Sequence, residues 1–256
     1  MRKTIKTEFF TTLSFWHFIR SLYLVTIWRS KILNWKYIKL LEDEILNYLE
    51  IKKSKIISFY NARTWIYQLL SNWEFKNKKE VIVSWYNCVS VINSIIQAWY
   101  KPIYCDINRS DLWLSLEDLK RKINNNTALV IIQHSFWKTA KIEEIISICK
   151  ENNVLTLEDC AHSLWTKYKN KNTWTFADFS IFSTWRDKVI SWVNWGFLVI
   201  NNESYNYLEQ KIKSKLTNIN KKEVIKNINY NILWYFSLLS YDFLWLWKII
   251  IYYSRK

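Results

Sequence analysis

The chain has 256 residues, half of them hydrophobic, and a formal net charge of +15; that length holds one large domain or one and a half, with apolar residues enough for a sizeable core. The charge suggests an anionic partner, yet no DNA or RNA motif is present, and Lys, Asn and Ile are enriched together, as AT-rich codons would make them. Cys88, Cys105, Cys149 and Cys160 form no CxxC pair, so neither a metal site nor a disulfide framework is indicated, and a reducing cytoplasm fits.

Residues 1–35 mix Lys and Arg with Phe, Trp, Leu and Ile. No apolar core is followed there by a small-residue cleavage site, which argues against a signal peptide. Tyr37 to Leu49 has apolar positions three and four apart and predicts an amphipathic helix. Lys55 to Tyr60 predicts a strand. Asn61 to Trp65 (NARTW) then opens a helix over Ile66 to Ser71, and the backbone N–H groups of such a helix start favour a phosphate. Val81 to Ser84 predicts a strand and Val89 to Ala98 a helix, with Trp99 where a C-cap glycine is expected. Ile103 to Ile107 is the next expected strand, and Ser115 to Asp118 resembles a capping box opening a helix to Ile123. Ala128 to Gln133 is a continuous apolar run, as a strand buried on both faces should be. Lys141 to Asn152 predicts a helix with acid early and Lys150 late, matching its dipole. Val154 to Leu157, Phe179 to Phe182 and Phe197 to Ile200 complete the strands. From Glu203 the pattern turns helical, and Ile232 to Tyr253 is an apolar, aromatic tail. Asp242 and Lys248 interrupt that tail, which argues against a membrane span and leaves a buried pair, an interfacial segment or the start of a further domain. Repeated strand–helix order predicts an α/β fold with a mostly parallel sheet flanked by helices.

Glycine occurs once and tryptophan 17 times. Average usage of about 7% predicts roughly 18 glycines, the number the two residues make together. Tryptophans stand where glycine belongs: Trp99 after a helix, Trp65 in a small-residue turn, Trp195 beside the sole glycine, Gly196. Our reading is that UGA codons meant as glycine are written here as tryptophan; a truly Trp-rich chain is the alternative.

Chemistry-bearing residues gather past the expected ends of two strands. Glu158-Asp159 closes one apolar run, with His162 three residues on. Ser183 closes another, and Lys188 follows. In open parallel sheets that edge is where ligands bind. A lysine able to form a Schiff base, with an aspartate to hold a pyridinium nitrogen, is the minimum kit of a pyridoxal-phosphate enzyme. Each residue also has a plainer reading: Asp159 as a helix cap, Ser183 as a turn serine, His134 as a structural or pocket-lining group at a buried strand end. Arg186 and Asp187 could bind substrate or pair with each other.

With glycine for tryptophan, NARTW, VIVSWYNCVSVINSIIQAWYKPIYCDI, VIIQHSFWKTA, LEDCAHSLWTKY and FSTWRDKVISWVNWG, in this order, resemble the DegT/DnrJ/StrS family of pyridoxal-phosphate sugar aminotransferases from about Tyr37 to Asn202. The resemblance implies the type I aminotransferase fold and a homodimer with active sites at the subunit interface. It also implies transfer of an amino group from glutamate to a nucleotide-linked keto sugar for surface polysaccharide or a related glycan. By position, Lys188 matches the lysine that binds the cofactor covalently and Asp159 the carboxylate on its ring nitrogen. His162 matches a position contacting the ring hydroxyl, and Ser183 the phosphate-binding serine. Ala62, Arg63 and Thr64 cover the turn whose backbone cradles the phosphate. Cys88 falls where many members place a ring-stacking aromatic, with Tyr86 as a substitute. The family's sugar dehydratases replace the lysine by histidine, so Lys188 argues against that activity. The resemblance divides the chain into an N-terminal helical segment (1–54), a cofactor-binding domain (55–202) and a tail (203–256) read as the start of an incomplete C-terminal domain. That leaves a catalytically inactive, cofactor-binding remnant as the other reading, with peripheral membrane contact through the tail open.

Overall fold

A computed structural model of the protein describes residues 15–27, 35–51, 54–59, 62–73, 77–135, 138–184, 188, 195–216 and 220–239. In chain order the helices are α1 (Phe15–Thr26), α2 (Trp35–Tyr48), α3 (Ala62–Asn72), α4 (Val89–Gln97), α5 (Leu116–Lys122), α6 (Ile142–Glu151), α7 (Tyr207–Lys213) and α8 (Lys221–Leu239). The strands are β1 (Lys55–Phe59), β2 (Glu80–Ser84), β3 (Lys101–Cys105), β4 (Thr127–Gln133), β5 (Leu155–Asp159), β6 (Lys167–Tyr168), β7 (Lys171–Asn172), β8 (Phe179–Ser183) and β9 (Gly196–Ile200).

Seven strands form one sheet in the order β1-β9-β8-β5-β4-β2-β3. From β8 to β3 every neighbouring pair is parallel, and β9 runs antiparallel to both β8 and β1. The uninterrupted apolar run of β4 has a physical cause in this arrangement, because its alternate residues serve two cores. Leu129 and Ile131 pack with residues of α3, α4 and α7, whereas Val130 and Ile132 pack with Leu119 of α5 and Ile142 and Ile145 of α6. A third cluster, under α2, joins Leu49 to Ile56, Phe182, Phe197 and Val199. Each fully buried Ile or Leu in these layers contributes about 1.5–3 kcal/mol. Glu42 ties α2 to the sheet by accepting 2.8 Å hydrogen bonds from the backbone N–H and the hydroxyl of Ser58.

Helix ends follow local chemistry. Ser115 caps α5 by accepting from the Asp118 amide. Helix α4 ends in a left-handed residue, Trp99, at φ 63°. The Trp99 amide donates to Ile96 O and the Tyr100 amide to Ile95 O, the hydrogen-bond pattern of a Schellman ending. Helix α6 ends the same way on Asn153, at φ 53°.

Several features differ from the sequence expectation. Strand β3 begins at Lys101, two residues earlier than expected, and contains Pro102; as the last strand of the sheet it has a free side where a missing N–H costs nothing. Strand β5 runs through Glu158 and Asp159, which the sequence places beyond the strand, because both carboxylates are buried. The small β6–β7 hairpin was not expected from sequence; it turns on Lys169 and Asn170, both at positive φ. Helices α1 and α8 pack on each other through a stacked Phe18–Tyr235 pair (4.7 Å) and an edge-on Phe18–Phe236 pair (5.3 Å).

Candidate active site

The carboxyl ends of β1, β2, β5 and β8 point to one edge of the sheet, which puts Asp159, Ser183 and the starts of α3 and α4 there. Alternation along β5 sets Asp159 on the same sheet face as Leu157, the face covered by α3 and α4. Along β8 it sets Ser183 on the face of Ile181 and Phe179. Strand β9 starts at this edge, with Gly196 between Ser183 and Phe59 in the register.

Asp159 is 8% exposed, and its Oδ1 accepts a 3.0 Å hydrogen bond from the Ala161 amide. Burial pushes its carboxyl above the ordinary value; the Ala161 N–H and the neighbouring Lys188 and His162 pull the other way. Lys188 Nζ lies 2.7 Å from His162 Nε2. At that separation one nitrogen donates a hydrogen bond and the other accepts it, with the roles set by the imidazole tautomer. The edge thus brings together an amine, an imidazole and a desolvated carboxylate in need of a cation.

These residues fit pyridoxal phosphate. A pyridinium nitrogen on Asp159 would supply the charge that its buried carboxylate lacks. Gln133, opposite Asp159 in the β4–β5 register and on the same face, has a buried Oε1 without a hydrogen-bond partner; sequence analysis did not single it out. Its signal is positional: it is the last residue of a buried strand next to the one carrying Asp159.

The other expected residues are placed as follows. Ala62, Arg63 and Thr64 form the first turn of α3 itself, not a turn ahead of it. Trp65 lies one residue deeper, 3% exposed in the core between α3 and the sheet, instead of lining a ligand approach, and its Nε1 has no hydrogen-bond partner. Cys88 is the exposed N-cap residue of α4, without a side-chain cap bond, and Tyr86 is 51% exposed in the turn before it. Arg186 and Asp187 lie outside the described residues. A cavity of about 70 Å³ opens beside Ser183, but it is lined mainly by apolar groups of α2, the sheet and adjoining loops, among them Ile45, Leu49, Leu164 and Phe182. Its walls hold neither Asp159 nor Lys188.

His134 and Glu158 lie behind the edge, on the sheet face opposite Asp159, and both side chains are 0% exposed. With Cys160 they place three metal-donor atoms within 4.8 Å of one another. Both ring nitrogens of His134 and both oxygens of Glu158 are already held by hydrogen bonds.

The chain is 31% identical over 168 residues to GDP-perosamine synthase of Vibrio cholerae, a match covering 66% of this chain and 45% of the relative. It is 26% identical over 176 residues to the UDP-4-amino-4,6-dideoxy-N-acetyl-beta-L-altrosamine transaminase of Helicobacter pylori, covering 68% and 45%. The chain spans about half the length of the curated relatives it matches. Among solved structures, the H. pylori aminotransferase PseC superposes with a TM-score of 0.62 at 24% identity, over 68% of this chain and 46% of that one. The E. coli GDP-4-keto-6-deoxy-D-mannose-3-dehydratase with bound hydrated PLP superposes with a TM-score of 0.68 at 18% identity, over 82% and 56%. These likenesses show the type I aminotransferase fold. The model of the DegT/DnrJ/EryC1/StrS aminotransferase family matches residues 22–230, most of the sequence, and the chain belongs to that family.

Proposed function

We propose that the whole protein is a pyridoxal-phosphate-dependent aminotransferase that moves an amino group, with glutamate as donor, to a keto sugar carried on a nucleotide. The product class would serve surface polysaccharide or a related glycan. The observation that carries this reading is the Lys188–His162 contact at 2.7 Å on the sheet edge that also holds the buried Asp159. Pyridoxal phosphate, when bound, supplies an aldehyde that takes up amines and a ring that accepts electron density.

The chain's residues have distinct tasks in this reading. Lys188 Nζ holds the cofactor covalently, and once released it moves a proton, with His162 Nε2 within hydrogen-bond reach. Asp159 holds the ring nitrogen through a charge-assisted hydrogen bond. The backbone at Ala62 to Thr64, in the first turn of α3, and the Ser183 hydroxyl bind the phosphate. Cys88 or Tyr86, between β2 and α4, flanks the ring. Support for the substrate class comes from the family and from relatives named for nucleotide sugars, and glutamate as donor rests on the family resemblance. A homodimer with shared sites rests on the family resemblance, and a cytoplasmic location on the cysteine pattern. Among the described residues no helix is long and apolar enough to cross a membrane, and a peripheral contact through 232–253 falls largely outside them.

Replacement of Lys188 by Ala tests the reading. Glutamate-dependent amino transfer to a GDP- or UDP-linked 4-keto sugar should fall to background, because Lys188 would supply the amine that forms the linkage. A Lys188→Ala variant retaining more than a few per cent of wild-type turnover would refute the assignment.

A further inference from the structure

We propose that Glu158 and His134 are positioning residues that fix the direction of the Asp159 carboxylate, an inference that rests on the cofactor reading above. Consecutive residues of a strand face opposite sides of the sheet, so Glu158 points away from the ligand edge while Asp159 points toward it. Glu158 Oε1 accepts from the Phe176 amide at 2.9 Å and the Ala177 amide at 2.8 Å. Its Oε2 is 3.1 Å from His134 Nε2. The tautomer follows from the other side of the ring: His134 Nδ1 accepts the Ala140 amide at 3.2 Å, so the ring proton is on Nε2 and is donated to Glu158.

The same residue also grips the main chain of Asp159. The His134 amide donates to Asp159 O at 3.2 Å, and the next amide, of Cys160, donates to Ile181 O at 2.9 Å. Asp159 is therefore held on its β4 side, on its β8 side and through the side chain of its predecessor. Its Oδ1 is taken by the Ala161 amide, which among the described residues leaves Oδ2 for a ligand. A buried carboxylate–imidazole contact is a weak source of stability, because desolvation consumes what the contact returns; apolar residues of matching shape would serve the core as well. What this pair adds is direction, at the one carboxylate whose aim sets the ring nitrogen's protonation.

Glu158→Gln breaks the arrangement specifically. The new NH2 group would face a ring nitrogen that already carries a proton, and moving that proton to Nδ1 would set it against the Ala140 amide. His134→Phe keeps shape and removes the donor; His134→Gln keeps a donor toward Glu158. The full chain is loaded with pyridoxal phosphate labelled with 15N in the ring, and two quantities are read: the cofactor dissociation constant by equilibrium dialysis and the ring 15N shift. Glu158→Gln and His134→Phe should weaken binding about tenfold, the low end for outer-shell partners, and move the ring signal toward the unprotonated form, as Asp159→Asn does. His134→Gln should restore both values to near wild type. Folded variants with wild-type affinity and an unchanged ring signal would overturn the inference alone. Failure of both disruptive variants to fold would overturn it in favour of a purely structural role. Wild-type protein that takes up no pyridoxal phosphate would instead sink the cofactor reading, and this inference with it.

Discussion

At Trp99 the backbone and the side chain disagree. The residue closes α4 at φ 63°, and its side chain is 87% exposed. A residue with a Cβ costs about 1–2 kcal/mol in that region, glycine nothing comparable, and so exposed an indole returns little by burial. Trp165 repeats the pattern at φ 70° and 53% exposure. Trp65 and Trp195 fail differently, with buried Nε1 atoms that find no partner. Trp174 and Trp73 behave as ordinary core aromatics: the first donates to Leu49 O at 3.1 Å, the second packs edge-on against Phe179 at 5.0 Å. Positive φ and orphaned nitrogens at four positions support the reading that glycine codons are written here as tryptophan. Trp99→Gly, in protein made with tryptophan at these positions, should raise unfolding stability by about 1 kcal/mol in urea titration. A variant less stable than its parent would show that the indole at this position is native.

Helix α5 illustrates how an element is fixed by its end. Ser115 caps it, and Asp118, 4% exposed, accepts the Asp106 amide at 2.7 Å and contacts Lys122 and Arg121. Burial alone would raise the Asp118 carboxyl; the Asp106 N–H, Lys122 and Arg121 outweigh it and hold the group at about 2. A depressed carboxylate stabilises the fold above its unfolded value near 4, and that contribution disappears as pH falls through the folded value. The stability gap between wild type and Asp118→Asn should therefore narrow by about 2 kcal/mol between pH 5 and pH 2. A gap independent of pH would contradict the role given to the ion contacts. This cap was legible in the sequence because Ser115 and Asp118 are three residues apart and interact locally. Strand β4 was legible for a different reason: burial on both faces erases the polar alternation that an exposed face would impose. The β6–β7 hairpin was not, since Lys169-Asn170 is a weaker turn signal than Asn-Gly. Nor was the Glu158–His134 pair, which exists only once β4 and β5 are set in register.

Over the whole molecule, the ligand edge is assembled from segments more than a hundred residues apart, from the start of α3 to Lys188. Sequence could place the individual groups past strand ends, but not the 2.7 Å approach of Lys188 to His162. That approach depends on β5 and β8 being neighbours in the sheet. The net charge of +15 fits anionic ligands such as pyridoxal phosphate and nucleotide sugars without singling one out. The family match begins inside α1 and ends inside α8, so parts of that aromatic helix pair lie beyond it.

The central claim is that this edge holds pyridoxal phosphate on Lys188. Borohydride reduction of the protein loaded with pyridoxal phosphate, followed by peptide mass spectrometry, tests it most directly. A pyridoxyl group is expected on the peptide that contains Lys188, and it should be lost in Lys188→Ala. A label confined to other lysines, or none on folded protein, would contradict it.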